Sequence, residues 1–218
     1  IQVTGIYDFN GVESYDNFIT STIAPDDHQK GSSYGISVGQ SRLFLKLLGD
    51  TKLGRVVSYI ELEFDGPNNS PVLNQAFIQM KGFTLGQTWS TFCDITAVPT
   101  TIDQEGPSSA AAVRQPQIRY TYPVDSCWQL SLALEYAVPD YTNQPDHYTA
   151  TIRQRIPDIP VAIRYTSPNK SHLQAAAILR NLYYKNNLAD KDKRVTGWGA
   201  NLSGNVKIAR NTRFLFQG

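Results

Sequence analysis

The stretch RVVSYIELEFD, residues 55–65, alternates apolar and polar side chains along its whole length. One face of an extended chain would carry Ile60, Leu62 and Phe64, and the other Tyr59, Glu61, Glu63 and Asp65. A period of two is typical of a β-strand whose two faces meet different surroundings. This stretch therefore predicts a strand with one apolar and one strongly polar face.

The same alternation recurs along the chain and predicts about eleven strands, each near the roughly ten residues that a tilted membrane-spanning strand requires. The candidates are residues 2–10, 39–48, 55–65, 73–81, 83–94, 117–121, 128–136, 161–166, 172–182, 196–209 and 212–217. We interpret residues 1–218 as a single all-β domain, a transmembrane antiparallel up-and-down β-barrel.

The predicted connections alternate between short and long. Tight turns rich in Gly, Asn, Asp, Ser and Pro are predicted at 50–54, 81–83, 125–126, 168–171 and 210–211. Longer polar links are predicted at 11–34, 66–72, 95–115, 140–158 and 186–195. Short turns at one rim and long loops at the other are typical of bacterial outer-membrane barrels.

Composition excludes several classes of protein. The 20 basic and 19 acidic residues leave a net charge of +1, which argues against a nucleic-acid-binding protein. The longest stretch free of charged residues, 66–80, is rich in Asn, Gln and Pro, so no transmembrane helix is predicted. No catalytic motif, metal-ligand spacing or cofactor-binding loop is present, and we predict a protein that is not an enzyme and needs no metal or cofactor.

The strand assignment also predicts the state of the two cysteines. Cys93 would lie at the long-loop rim and Cys127 at the short-turn rim. These rims are far beyond the Cα separation of about 7 Å that a disulfide allows. We therefore predict two free thiols.

A secreted soluble β-sandwich that binds carbohydrate is the alternative interpretation. The two differ in what the apolar faces of the strands meet. In a barrel they meet lipid, whereas in a sandwich they pack against each other. The side chains whose surroundings distinguish the two interpretations are Leu43, Leu45, Ile60, Leu62, Leu130 and Leu132.

The polar faces carry more basic than acidic residues. The basic ones are Arg42, Lys46, Arg55, Lys81, Arg119, Arg164, Arg180, Lys207 and Arg213, and the acidic ones Asp8, Glu61, Glu63, Asp65 and Glu135. Buried unpaired charges are costly, so this face must be wet. As a channel lining, the arginines would attract anions. The alternative is charge pairing that only hydrates the wall.

Residues 95–115 form the most unusual link, because loops this long are usually functional or disordered. We predict that it folds inward as a constriction, with Asp103 and Glu105 facing Arg114 and Arg119. An exposed surface loop without a part in transport is the alternative.

Four segments carry a resemblance to a known family. They are GQSRLFLK at 39–46, LNQAFIQ at 73–79, GQTWSTF at 86–92 and RQPQIRYT at 114–121. The chain resembles the DcaP-like porins, densely over residues 36–122 and in topology alone afterwards.

The resemblance implies a homotrimeric channel in the outer membrane of a Gram-negative bacterium, in contact with its lipid. It implies passive uptake of small anionic solutes such as dicarboxylates, with Arg42, Arg114 and Arg119 lining the channel. The resemblance also implies a barrel of sixteen strands. The eleven predicted strands are an odd number, whereas single-chain bacterial barrels have even strand numbers. We therefore expect this chain to hold the N-terminal two-thirds of such a barrel, incomplete at the C-terminus.

Overall fold

The structure is a computed structural model that describes residues 1–9, 32–100, 110–136, 149–186 and 191–218. The described residues form thirteen strands. They are β1 Thr4–Asp8, β2 Ser33–Ser37, β3 Arg42–Thr51, β4 Gly54–Gly66, β5 Ser70–Met80, β6 Phe83–Trp89, β7 Arg114–Pro123, β8 Trp128–Glu135, β9 Thr149–Arg153, β10 Ile159–Thr166, β11 His172–Asn186, β12 Lys191–Ala209 and β13 Thr212–Gln217. Short 3-10 helices occupy Pro67–Asn69 and Ile95–Ala97. No described helix is long and apolar enough to cross a membrane.

Eleven strands form one antiparallel sheet, in which every strand except β9 pairs with the strands next to it in sequence, so that β8 pairs directly with β10. The order runs from β3 to β13, and β9 pairs with β11 beyond the end of β10. β1 and β2 form a separate antiparallel pair. The predicted all-β, up-and-down architecture is confirmed. Within the described residues the wall is open, with β3 and β13 at its edges.

The apolar face of the wall is the exposed one. Leu43 is 61% exposed, Leu132 53% and Trp198 81%, whereas polar residues of the opposite face, such as Gln117 and Ser203, are buried. A soluble protein has the reverse arrangement. The soluble sandwich is therefore wrong, because it requires these leucines to be buried against a second sheet.

Two tight backbone arrangements shape the wall near β6. Lys81 and Gly82 both have positive φ, 49° and 84°, as a two-residue type I′ hairpin turn requires. Gly86 has φ 122°, and a Cβ atom there would lie 2.2 Å from the carbonyl oxygen of Ala76. Only glycine fits at this position, which lies in the GQTWSTF segment.

The alternation of short and long connections is less regular than predicted. The link predicted at 66–72 is reduced to the 3-10 helix Pro67–Asn69, and the described residues of the link predicted at 186–195 belong to β11 and β12. The run Lys191–Arg194 is charged on both faces, which is why it reads as a loop in the sequence. A strand that continues beyond the membrane is wet on both faces and keeps no alternation.

Two short strands were missed by the sequence analysis. β2 begins in the link predicted at 11–34, and β9 lies in the link predicted at 140–158. β6 ends at Trp89, five residues before its predicted end at 94, because the chain turns away from the wall at Ser90.

A charged side chain on the exposed apolar face is expected to destabilise the fold in lipid. In the full protein, Leu132→Arg should lower the free energy of unfolding by about 2–4 kcal/mol, the cost of Arg near the bilayer midplane. Denaturant titration in lipid vesicles measures this change. The control is Ser131→Arg, the next residue on the same strand but on the polar face. Equal losses for both variants would contradict the assignment of the faces.

Candidate functional site

The site lies on the polar face of the wall, where one row of polar side chains crosses five strands. In register these are Gln129 on β8, Arg164 on β10, Gln174 on β11, Ser203 on β12 and Gln217 on β13. Antiparallel partners point to the same face, so the row is continuous.

The segment Ser90–Ala97, here called the inward segment, leaves β6 and lies against this polar face. Amide side chains of the wall hold its backbone. Asn201 donates to the carbonyl of Phe92 at 3.2 Å, Gln174 to that of Cys93 at 3.3 Å, and Asn205 to that of Thr96 at 2.9 Å. The segment thus spans from β6 to β12 across the inside of the wall.

Asp94 is the main anchor of the inward segment. Its carboxylate is 1% exposed and accepts from His172 Nε2 at 2.7 Å and Ser203 Oγ at 2.9 Å. Arg164 forms an ion pair with it at 3.3 Å, and Thr96 donates through both its backbone N–H and its hydroxyl. A buried carboxylate needs this many donors to remain charged.

Burial alone would raise the pKa of Asp94. The hydrogen bonds from Thr96, His172 and Ser203, together with the charge of Arg164, outweigh it and hold that pKa below its ordinary value of 3.8. Burial also raises the pKa of the neighbouring Cys93 thiol, which is therefore kept protonated. Cys93 and Cys127 are both free thiols, as the strand assignment requires.

Glu135 holds the beginning of the same segment. It is fully buried and accepts from Ser90 Oγ at 2.6 Å and from the backbone N–H of Thr91 at 2.7 Å. Its own backbone pairs with Asp158, with both N–H···O distances 2.9 Å. Glu135 thereby joins the end of β8 to the inward segment and to the chain before β10.

Arg180 and the buried Asp158 form a second ion pair on the polar face. Nε and Nη2 of Arg180 lie 2.8 and 2.7 Å from Oδ2 of Asp158, and Gln154 donates to Oδ1 at 2.7 Å. Asp158 is fully buried, so its charge is compensated within the protein.

A third charged group occupies β3, β4 and β5. Arg42 lies 3.1 Å from Glu63, which also accepts from Asn74 at 2.5 Å. Asn74 in turn accepts from Arg114 at 3.2 Å. The Arg114 guanidinium lies over the Trp89 ring, 4.1 Å from its centroid. Predicted residues from two distant segments of the sequence therefore meet here.

Glu61, Lys46 and Arg119 complete the predicted set. Glu61 accepts from the Tyr59 hydroxyl at 2.6 Å, and Lys46 is exposed on β3. Arg119 donates to the carbonyl of Trp89 at 3.4 Å and forms no ion pair within the described residues.

A polar cavity of about 330 Å³ lies between the inward segment and the wall. Arg119 and Arg164 line it together with Asp94, Gln129 and Gln174. No group of three His, Cys, Asp or Glu side chains suited to a metal ion occurs in the described parts of the chain.

Sequence reasoning missed Asp94, Asp158 and His172. Asp94 was placed at the end of the predicted strand 83–94 and Asp158 in the link predicted at 140–158, but both lie outside regular strands, and His172 begins a strand after a turn. The predicted constriction loop was bounded at 95–115, but contact with the polar face begins at Ser90. Asp103 and Glu105 lie outside the described residues, and their role stays a prediction.

Comparison with known proteins gives two matches. Residues 14–218 match the family described as the porin subfamily. The crystal structure of the outer membrane channel DcaP of Acinetobacter baumannii is similar to this structure, with a TM-score of 0.78 and 22% sequence identity. The match covers 97% of this chain and 59% of that chain, so this chain spans less than two thirds of that channel. No curated protein sequence matches it.

Removal of the Asp94 charge is expected to release the inward segment. Asp94→Asn leaves Arg164 without its counter-charge and removes the carboxylate oxygen that contacts His172 and Ser203, which should weaken the attachment by about 2–4 kcal/mol. The measurement is the rate at which Cys93 reacts with dithiodipyridine at neutral pH, in a Cys127→Ser background. A weakening of about 1.4 kcal/mol already makes the detached segment tenfold more populated, so we expect the reaction rate of Cys93 to rise at least about tenfold. Asp50→Asn, an exposed aspartate of β3, is the control, and a rate unchanged in both variants would refute Asp94 as the anchor.

The attachment is also expected to resist moderate acid. A carboxylate with a lowered pKa stabilises the folded state above its unfolded pKa, and this stabilisation is lost as pH falls through the folded pKa. For Asp94 that loss lies below 3.8. Cys93 should therefore stay protected from dithiodipyridine between pH 7 and about pH 4.5 and become reactive only below the ordinary aspartate range. Exposure of Cys93 already at pH 5 would contradict this expectation.

Proposed function

Because the chain belongs to the porin subfamily, we propose that it forms the wall of a channel that admits small hydrophilic, anionic solutes by passive diffusion. The family and the structural likeness to an outer membrane channel confirm the resemblance to DcaP-like porins and the location in the bacterial outer membrane. The proposed solutes are dicarboxylate-like, and ions are transported along the same path. We also propose that the channel is not an enzyme.

The inward segment carries this proposal. An apolar face exposed towards lipid and a polar face with buried, compensated charges make a wall with water on its inside. Asp94 and Glu135 hold a stretch of backbone across that inside, which narrows the space left for solutes. A narrowed aqueous lumen selects by size and by the charge of its lining.

The anion preference rests on fewer residues than the sequence suggested. Arg42, Arg164 and Arg180 are each paired with a carboxylate, so their charges are largely compensated. The ion pairing of these three arginines agrees with the alternative interpretation of the polar face, in which paired charges only hydrate the channel wall. The positive character that remains comes from Lys46 and from the cavity, where Arg119 and Arg164 face a single carboxylate.

Closure and assembly are further parts of the proposal. β3 and β13 each expose one unpaired edge within the described sheet, and lipid does not tolerate unpaired backbone groups. We propose that further strands close the barrel, to about sixteen in total. A homotrimer in a Gram-negative outer membrane is proposed with it, on the resemblance to DcaP-like porins.

Single-channel recording of the full protein in a planar bilayer under a salt gradient tests the anion preference. We expect openings in groups of three and a reversal potential that favours anions. Arg119→Gln with Arg164→Gln should lower the anion-to-cation permeability ratio by up to about fivefold, because a unit charge at a wet wall contributes about 1 kcal/mol.

The control for this experiment is Lys52→Gln, which removes one charge from the exposed turn after β3. It should leave the permeability ratio unchanged. Channels that prefer cations would refute the anion preference but would still support the proposal that the protein is a porin. The absence of any openings from folded protein would refute the channel itself.

A further inference from the structure

Three aromatic rings lie next to one another on the polar face of the wall, on three consecutive strands. They are Phe44 on β3, Tyr59 on β4 and Phe77 on β5, and we call them the lumen aromatic row. Tyr59 is paired directly with Phe77, and its hydroxyl donates to the polar-face residue Glu61 on the same strand. Phe44 is paired with Glu61, which assigns its ring to the same face.

Contact with lipid does not explain the lumen aromatic row. Other stacked rings of the wall lie on the outward, lipid-facing side, in the pairs Phe83 with Tyr120, Trp128 with Tyr165 and Phe214 with Phe216. The row instead faces water, where exposed apolar surface is unfavourable. Tyr59 and Phe77 belong to strands that are paired on both sides, yet both rings stay partly exposed, so the wall itself does not cover them.

The rings of the row are stacked with a large sideways offset. The centroids of Phe44 and Tyr59 are 5.9 Å apart and those of Tyr59 and Phe77 5.3 Å, with interplanar angles of 22° and 28°. Nearly parallel rings in contact are about 3.5 Å apart face to face, so successive rings are displaced sideways by about 4–5 Å. This displacement leaves part of each ring face uncovered. Offset stacking is the arrangement that a further planar ring prefers.

The lumen aromatic row lies on the path of solutes, on the short-turn side of the inward segment. Phe77 is opposite Gly86 of β6, four residues before the inward segment begins at Ser90. At about 3.3 Å per residue and a tilt near 40°, this distance is roughly 10 Å along the channel. Leu48 and Val57, which are paired with each other on the same face, continue the apolar surface towards the short turn after β3. A solute that has passed the inward segment therefore meets this apolar surface next.

A cation lies beside the row. Lys46 is paired with Tyr59, is exposed, and forms no ion pair within the part of the chain that the structure describes. The neighbouring carboxylate of Glu61 is only 7% exposed and accepts hydrogen bonds from one hydroxyl and two amide side chains of the wall. The negative charge is thus held within the wall, whereas the ammonium group of Lys46 is open to the lumen.

We propose that the lumen aromatic row and Lys46 bind aromatic carboxylates on their way through the channel. The ring of such a solute extends the offset stack, and its carboxylate pairs with Lys46. A site made of stacking and one exposed charge binds weakly, which suits a channel because the solute has to leave the site again. This inference rests on the proposed function, since it adds one class of anionic solute to a channel that admits anions.

The test compares how benzoate and succinate, a dicarboxylate without a ring, block the chloride current in single-channel recordings of the full protein. The measured quantity is the half-blocking concentration of benzoate divided by that of succinate. The lumen variant is Phe44→Leu with Phe77→Leu, which keeps apolar side chains but removes two planar rings. The matched control is Phe83→Leu with Phe214→Leu, the same change on the outward face. Folding is checked by heat-dependent migration in gels, and Phe44→Leu alone serves if the double variant does not fold.

We expect this ratio to rise at least about fivefold in the lumen variant, because aromatic contacts contribute through their geometry beyond the apolar area that leucine also buries. In the control, the ratio should stay within about twofold of the wild-type value. An unchanged ratio in the lumen variant would overturn the inference. An equal rise in both variants would overturn it too, because the rings would then act only through the stability of the wall.

Failure of the proposed function gives a different result. Folded wild-type protein that shows no openings would contradict the channel, and openings that exclude anions would contradict its anion preference. The ratio is then taken from the dissociation constants of benzoate and succinate, measured by saturation-transfer NMR on the protein in detergent. A rise in the lumen variant alone would still support the aromatic site, and an unchanged ratio would overturn it.

Discussion

A backbone in lipid must satisfy every N–H and C=O group from within the protein, and the rest of this structure follows from that constraint. Antiparallel pairing from β3 to β13 satisfies these groups strand by strand. Once the sheet is the only barrier between lipid and water, its two faces must differ. Most leucines and aromatic rings therefore point outward, and the polar and charged residues share the opposite face.

The polar face would be unstable if its charges stood alone, and the structure compensates them with ion pairs and hydrogen bonds. Asp94, Glu135 and Asp158 are almost fully buried, and each accepts several hydrogen bonds. Two of these three carboxylates also hold the inward segment in place. The charges that make the wall hydrophilic are thus the same ones that set the shape of its inside, which links the stability of the segment to the properties of the lumen.

The predicted strand boundaries were wrong where the alternation of apolar and polar residues does not distinguish a strand from a loop. Lys191–Arg194 reads as a polar loop, but it is strand that extends beyond the membrane with water on both faces. The sequence analysis extended the strand of β6 through Ser90–Asp94. In the structure the chain leaves the wall there, because Glu135, 45 residues further on, binds Ser90. No local pattern contains a contact of that range, and His172 could not be matched with Asp94, 78 residues away, for the same reason.

The sequence by itself determined the fold class, the face of each central strand and the resemblance to DcaP-like porins, because period-two alternation and short motifs are local properties of the chain. It also indicated Arg42, Glu61, Glu63, Arg119, Arg164 and Arg180 as polar-face residues. Only the tertiary structure decided that three of these arginines are ion-paired, that the inward segment begins at Ser90, and that Asp94 anchors it. Charge compensation depends on which strands become neighbours and how their registers align, and that is decided when the whole sheet forms.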